Sequence, residues 1–192
     1  EQNADAILVH HGYFWKGEAQ PLTGYKGKRI KTLMQHDISL LAYHLPLDFH
    51  PTVGNNAQLG LRMGWLQTEQ LDSLWIGEVS APCSVDNVLD ELGEKIDSNP
   101  LLIVGGSNPV HRIAWCTGAA QSYIEQAAEA GVDLFISGEI SEQTVHIARE
   151  LGIHYIAAGH HATERYGVQA LGQLIANRFS ISHEYLEIEN PV

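Results

Sequence analysis

Short, unbroken apolar runs alternate along this chain with longer segments whose apolar residues recur at helical spacing. The first run, Ala6-Ile7-Leu8-Val9, passes straight into His10-His11-Gly12 and has no polar alternation, which predicts a strand buried on both faces. Residues 13–28 are rich in aromatics, Gly and Lys and are broken by Pro21 and Gly24, so they read as a long loop. Loops of that length at a strand end are commonly functional. Residues 28–36 place Ile30, Leu33 and Met34 on one helical face; 38–43 is a strand ending in His44-Leu45-Pro46-Leu47-Asp48; 55–63 is a helix carrying Leu59 and Leu61.

The pattern then changes. Strands at 75–79 and 101–104 flank a helix that opens after Ser84, an expected N-cap, and runs through 96. This small strand–helix–strand insertion carries no constellation of reactive groups. Its exit, Gly105-Gly106-Ser107-Asn108-Pro109, has a double glycine but lacks the Lys and Ser/Thr of a phosphate loop. Alternation resumes with a strand at 113–117, an alanine-rich helix at 118–130, a strand at 132–137 ending in Gly138-Glu139, and a helix at 141–151 capped by Ser141 and stopped by Gly152. A strand at 153–158, a helix at 163–176 and an edge strand at 180–188 complete the chain. The series predicts an α/β fold with a mixed or parallel sheet. Two related lobes, 1–63 and 110–192, would be separated by the 64–109 insertion.

The relation between the lobes is visible as a weak repeat. Residues 4–11 align with 132–139 at an offset of 128, and 28–48 align with 144–164 at an offset of 116. The second offset lays His44 on His160 and Asp48 on Glu164, so each lobe supplies a His-x-x-x-acid element directly after a strand. The second lobe also begins with a strand–turn–helix unit at 112–130 that has no counterpart after residue 1. The expectation is therefore a missing N-terminal segment whose last helical turn is Glu1-Gln2-Asn3.

Composition narrows the function. At 192 residues, with 44% apolar and 18% charged residues, the chain can bury a sizeable core and is globular. A formal net charge of −12 argues against a nucleic-acid or anionic-membrane surface. Cys83 and Cys116 stand far apart with no Cys-x-x-Cys spacing, which argues against a disulfide framework or thiolate zinc site and for a reducing cytoplasm. No apolar run has the length of a membrane span and no signal peptide is visible.

Of the eleven histidines, placement matters more than number. His10, His11, Asp48, Glu139, His160 and Glu164 all fall where strands hand over to turns or helices, at the carboxyl edge where α/β sheets bind ligands. His160 and Glu164, four apart, share a face if a helix has begun by His160. The plain alternative is packing histidines beside a Glu that interacts with a helix dipole. It explains one such site more easily than four strand ends together. Five imidazole and carboxylate donors exceed the needs of one zinc but suit two metals sharing a carboxylate. A set of N and O donors suits zinc, iron, manganese or cobalt and does not choose among them.

The motifs Ile7-Leu8-Val9-His10-His11-Gly12, His44-Leu45-Pro46-Leu47-Asp48, Gly54-Asn55-Asn56, Ser137-Gly138-Glu139 and Gly159-His160-His161-Ala162-Thr163-Glu164 resemble those of the GTP cyclohydrolase 1 type 2 homologues, also called NGG-interacting-factor-three-like proteins. The resemblance spans nearly the whole chain and is weakest in 64–109. It implies a dinuclear metal site with ligands His10, His11, Asp48, His160 and Glu164, Glu164 bridging two divalent ions. It also implies a two-lobed subunit, a ring-shaped homo-hexamer with the sites facing an internal cavity, and about fifty further N-terminal residues. The activity it implies is metal-dependent hydrolysis of a small polar substrate, a purine nucleotide by the family label, with a metal-bridged water. No P-loop and no basic cluster stronger than Lys26, Lys28, Arg29 and Lys31 supports a triphosphate. A non-enzymatic ring acting through protein partners is the competing reading, and a two-metal phosphoesterase the third.

Around these ligands, His44 and His161 could orient them or move protons. Glu139, the repeat counterpart of His11, could act as a general base or simply interact with a helix dipole. Tyr13, Phe14 and Trp15 could stack on a flat heterocycle or anchor their loop. Thr117-Gly118-Ala119-Ala120-Gln121, before a helix, could hold an anion.

Overall fold

The computed structural model of the chain describes residues 4–19 and 21–192. Glu1-Gln2-Asn3, expected as a helical turn, lies outside them. Residues 4–63 contribute β1 (Ala6–Val9), α1 (Gly24–Gln35), β2 (Ser39–Ala42), the short α2 (Leu45–Asp48) and α3 (Asn55–Met63). β1 and β2 pair in parallel from Ala6 opposite Ser39 to Val9 opposite Ala42. The 64–109 segment contributes β3 (Leu66–Leu71), β4 (Leu74–Cys83), α4 (Val85–Ile96) and β5 (Leu101–Ile103). Then come β6 (Val110–Cys116), a 3-10 turn (Gln121–Tyr123), α5 (Ile124–Glu129), β7 (Leu134–Ser137), α6 (Glu142–Leu151), β8 (His154–Ala157), α7 (His160–Glu164) and α8 (Tyr166–Phe179).

The second sheet has six strands in the order β3-β4-β6-β7-β8-β5. Its centre, β6-β7-β8, is parallel, while β3, β4 and β5 join antiparallel at the two edges. This is a mixed α/β sheet, and the strands of 64–109 extend it on both sides. Side chains alternate across it as the pleat requires. Ile113, Trp115, Leu134, Ile136 and Ile156 enter one core with residues of α3 and α4; Ala114, Cys116, Phe135, Tyr155 and Ala157 enter another with residues of α5 and α6. Both faces are covered, which is why these strands are written as continuous apolar runs.

The repeat has a structural counterpart. β1-α1-β2-α2 and β7-α6-β8-α7 follow the same order, each with a parallel strand pair, and β7 begins and ends 128 residues after β1. Expected and observed elements differ at several places: α2 was not expected, and the helix expected over 163–176 is two, α7 and α8, the first starting at His160. β3 was not predicted because Leu66-Gln67-Thr68-Glu69-Gln70-Leu71 is exposed throughout and pairs only with β4. α1 starts at Gly24, ahead of the expected 28. The helix expected over 118–130 begins later, because Gly118 turns into the left-handed region at φ 69° and residues 117–120 tie strands together instead. Residues 180–188 form no strand; their polar side chains reach back to α7.

Candidate metal centre

Three turns converge on one point, each leaving the carboxyl end of a parallel strand. β1 delivers His10 and His11, whose rings lie 4.6 Å apart and tilted by 51°. Beyond the last strand residue the pleat no longer sends neighbours to opposite faces, so both can approach the same centre. β2 delivers α2, where Pro46 in the first turn presets the helical φ and Asp48 ends the helix fully inside. β8 delivers α7 through Gly159, whose φ of 98° suits glycine and starts a helix at His160. His160 and Glu164 then share a face, as their spacing predicts.

Glu164 is the hub. Its Oε2 lies 3.4 Å from His10 Nε2, 3.2 Å from His11 Nε2 and 2.8 Å from His160 Nε2. Asp48 Oδ1 lies 3.4 Å from His10 Nε2. Donor atoms of His10, Asp48 and Glu164 fall within 4.8 Å of one another, as do those of His11, His160 and Glu164, and those of His10, His11 and His44. The first two groups share Glu164. His10, Asp48 and Glu164 are buried, whereas the side chains of His11 and His160 keep 39% and 26% of their surface, so the centre opens on the His11 side.

Three of these atoms, His10 Nε2, His160 Nε2 and Glu164 Oε2, are buried without a hydrogen bond. His160 Nε2 is close to Glu164 in distance but not in the direction a hydrogen bond needs. Orphaned buried polar atoms are costly. Lone pairs aimed at one point from histidines and a carboxylate have the chemistry of a cation site. The donor set therefore fits a divalent metal.

The surrounding groups set tautomers and directions. His10 Nδ1 donates to the Tyr43 carbonyl at 3.0 Å, and His160 Nδ1 donates to Glu139 Oε1 at 2.7 Å. Each bond leaves Nε2 facing the centre, the usual arrangement for metal-ligating histidines. Asn55 Nδ2 donates to Asp48 Oδ1 at 2.8 Å while its Oδ1 accepts from Gly167 N at 2.8 Å. Asn56 Nδ2 donates to the Asp48 carbonyl and its Oδ1 accepts from Thr117 N. Thr163, fully buried, accepts from Gly118 N and donates within its own turn. Gly118 leaves the Glu164 carboxylate room that a Cβ would take.

Electrostatics follow the packing. Burial raises the Glu164 carboxyl, but His10, His11 and His160 outweigh it and hold it well below the usual carboxylate range. Burial raises Asp48, with the Asn55 bond opposing it. The Glu164 carboxylate, helped by Glu139, lifts His160 to about 9 against its burial. For His10, burial opposes charge, yet Glu164, Asp48 and the Tyr43 carbonyl leave it raised. His44 is lowered by burial and by the neighbouring His10 and His11.

Of the residues anticipated from sequence, His10, His11, Asp48, His160 and Glu164 meet at this point, and His44 stands beside His10 and His11 at ring separations of 5.1 and 5.0 Å. Glu139 is engaged with His160, not free over the centre. His161 turns away to Glu187. Trp15 packs on His11 and His44 at 5.5 and 5.4 Å, and Phe14 lies under the Lys26 ammonium. The anion site expected at Thr117–Gln121 is not available: the Thr117, Gly118 and Ala120 amides donate to Asn56, Thr163 and Ser137. Gly105 is small because a Cβ would run into the backbone of Ile153 and Ala148, not to admit a phosphate. In the sequence Asn55, Asn56 and Thr163 stand out only as members of motifs, and Gly118 only as part of the expected anion site; their contacts with Asp48 and Glu164 come from the structure. The available signal was the pair Asn55-Asn56 opening a helix directly after Gly54, where two side-chain amides can reach back to the preceding turn.

The chain is 52% identical over 195 residues to the GTP cyclohydrolase 1 type 2 homolog of Allochromatium vinosum, covering 99% of this chain and 76% of that protein. It is similar to the solved protein ybgI, of unknown function, at a TM-score of 0.96 and 45% identity over 98% of this chain and 77% of that one. It is also similar to TTHA1606 from Thermus thermophilus, at a TM-score of 0.86 and 31% identity over 100% of this chain and 77% of that one. Residues 1–191 match the family model described as Duf34/NIF3 (NGG1p interacting factor 3), and the chain belongs to that family.

Proposed function

We propose that the centre holds two divalent cations and that the protein is a metal-dependent hydrolase of a small polar substrate. One subsite is His10, Asp48 and Glu164, the other His11, His160 and Glu164, with Glu164 joining them. The observation that carries this reading is the triple approach of Glu164 Oε2 to three imidazole nitrogens, with three of the atoms involved buried and unbonded. When bound, two such ions supply Lewis acidity and the activation of water at neutral pH. Zinc, iron, manganese and cobalt all suit the donors.

The chain's own residues do the rest. Glu139 holds His160 through Nδ1, and the Tyr43 carbonyl holds His10 in the same way. Asn55, Asn56 and Thr117 fix the Asp48 carboxylate and its backbone. His44, whose lowered pKa keeps it neutral near pH 7, can accept a proton at an imidazole nitrogen from a group held between His10 and His11. Glu139 takes the role of orienting group, leaving His44 as the acid–base candidate. The open His11 side supports an enzyme over a purely structural centre, since it leaves a direction from which a substrate can arrive. We place the activity in a reducing cytoplasm, consistent with free Cys83 and Cys116, and in a homo-hexamer. Among the described residues no helix is long and apolar enough to cross a membrane.

The experiment is metal analysis of anaerobically and aerobically purified protein, followed by a panel of nucleotides, cyclic amides and phosphoesters with the metal found. Turnover that vanishes in Glu164→Ala supports the hydrolase. Metal binding without turnover, and a cellular phenotype indifferent to Glu164→Ala, favours the non-enzymatic assembly. Light scattering tests the hexamer.

A further inference from the structure

We propose that Glu187 is a positioning residue for this centre, and that residues 180–192 form a strap that sets the orientation of α7. The inference rests on the metal reading above and concerns a part of the chain that the ligands do not include. α7 has only five residues, too few to hold a helical turn unaided. Its direction therefore comes from what grips it. His160 and Glu164 face the centre. His161 and Arg165, each one residue further on and again four apart, occupy the adjoining face.

Glu187 grips that second face at both ends. Its Oε1 accepts from His161 Nε2 at 2.6 Å, and its Oε2 accepts from Arg165 Nη1 at 3.3 Å. Tyr185 Oη donates to Oε2 at 2.7 Å and fixes the carboxylate itself. The His161 amide donates to the Val192 carbonyl at 2.8 Å, a second tie from the same segment. Arg165 is anchored in turn, donating to the Ile96 carbonyl at the end of α4 and lying 5.4 Å from the Tyr166 ring. The turn is thus clamped between Thr163 with Gly118 on the site side and Glu187 on the other. Two donors of one subsite, His160 and Glu164, sit on this single turn. Releasing one clamp moves both together.

The test compares Glu187→Ala, Glu187→Asp and Glu189→Ala with the wild-type chain. Glu189 is an exposed carboxylate on the same segment with no hydrogen bond or ion pair among the described residues. Co2+ titration read by its visible absorption, Zn2+ affinity by competition, and hydrogen exchange of the metal-free proteins are measured. In Glu187→Ala, divalent affinity should fall about tenfold, the low end for partners of metal ligands. The Co2+ bands should shift, and the His161 and Thr163 amides should exchange faster. Glu187→Asp should recover part of the affinity, and Glu189→Ala should match wild type. Unchanged affinity, spectrum and exchange in Glu187→Ala overturn the proposal. So does an equal loss in Glu189→Ala, which would signify only net charge, or a rise in exchange spread over β7 and β8. If the wild-type protein takes up neither ion, the metal reading fails, and the exchange of the α7 amides alone decides whether the strap sets that turn.

Discussion

Asn55 offers the sharpest test of how the centre is held. It is fully buried, donates to Asp48 Oδ1 at 2.8 Å and accepts from Gly167 N at 2.8 Å. Asn55→Ala strands the Gly167 amide and leaves Asp48 Oδ1 with two longer contacts, Thr117 Oγ1 and His10 Nε2, each at 3.4 Å. An unsatisfied buried donor costs about 1–3 kcal/mol, and a lost bond to a charged acceptor about 1.5–3. Allowing for relaxation, about 3 kcal/mol is expected, or about 6–12 °C in melting temperature for a protein of this size. Asn55→Asp keeps the acceptor for Gly167 but sets a second carboxylate against Asp48. At about 3 Å and an effective dielectric of about 20, the repulsion is on the order of 5 kcal/mol unless one group takes a proton. The metal-free Asn55→Asp protein should therefore melt below Asn55→Ala at pH 8 and regain stability as pH falls toward 5. Thermal unfolding in EDTA, followed by circular dichroism, reads both. Divalent affinity of Asn55→Ala should fall by about 10–100-fold. A melting temperature within 2 °C of wild type would refute the reasoning, as would unaltered metal affinity.

Three further outcomes follow from the same geometry. Gly118→Ala puts a Cβ into the Glu164 carboxylate at a φ of 69°; the left-handed backbone alone costs about 1–2 kcal/mol, and metal uptake measured by elemental analysis should drop sharply. Thr163→Val removes the acceptor of the Gly118 amide and should destabilise by about 1–3 kcal/mol in urea unfolding. His160 is raised to about 9, so its contribution to metal-free stability is complete below its unfolded pKa of about 6.5 and disappears as pH rises through about 9. The wild-type melting temperature in EDTA should therefore decline over that window relative to His160→Gln, and parallel curves would contradict the assignment.

Much of the fold is local in origin and was legible. The apolar runs of β1, β7 and β8, the Ser84 cap that accepts from Asn87 N, and the left-handed Gly152 ending α6 all follow from nearest neighbours and periodicity. Where reading failed, a long-range contact overrode the local signal. Residues 180–188 alternate like a strand, yet Glu187, held by the Tyr185 hydroxyl, pairs with His161 and Arg165 and not with a sheet edge. The alanine-rich stretch after Gly118 delays its helix because its first amides serve Thr163 and Ser137. β3 is legible only through its partner, since every one of its residues is exposed.

The same division applies to the site. Residue type and position after strands, together with the repeat, already singled out His10, His11, Asp48, His160 and Glu164, because the carboxyl edge of an α/β sheet gathers whatever its turns carry. The approach of His160 to Glu164 follows from their spacing, but the distances from Glu164 to His10 and His11, and from His10 to Asp48, depend on how the ends of β1, β2 and β8 pack together. Only the tertiary structure made Glu164 the shared hub, turned Glu139 from a free carboxylate into the partner of His160, and brought Asn55 and Asn56 under Asp48 from a helix seven residues on. Periodicity reports which face of an element is buried. The direction of a lone pair at that face is set by its neighbours in space.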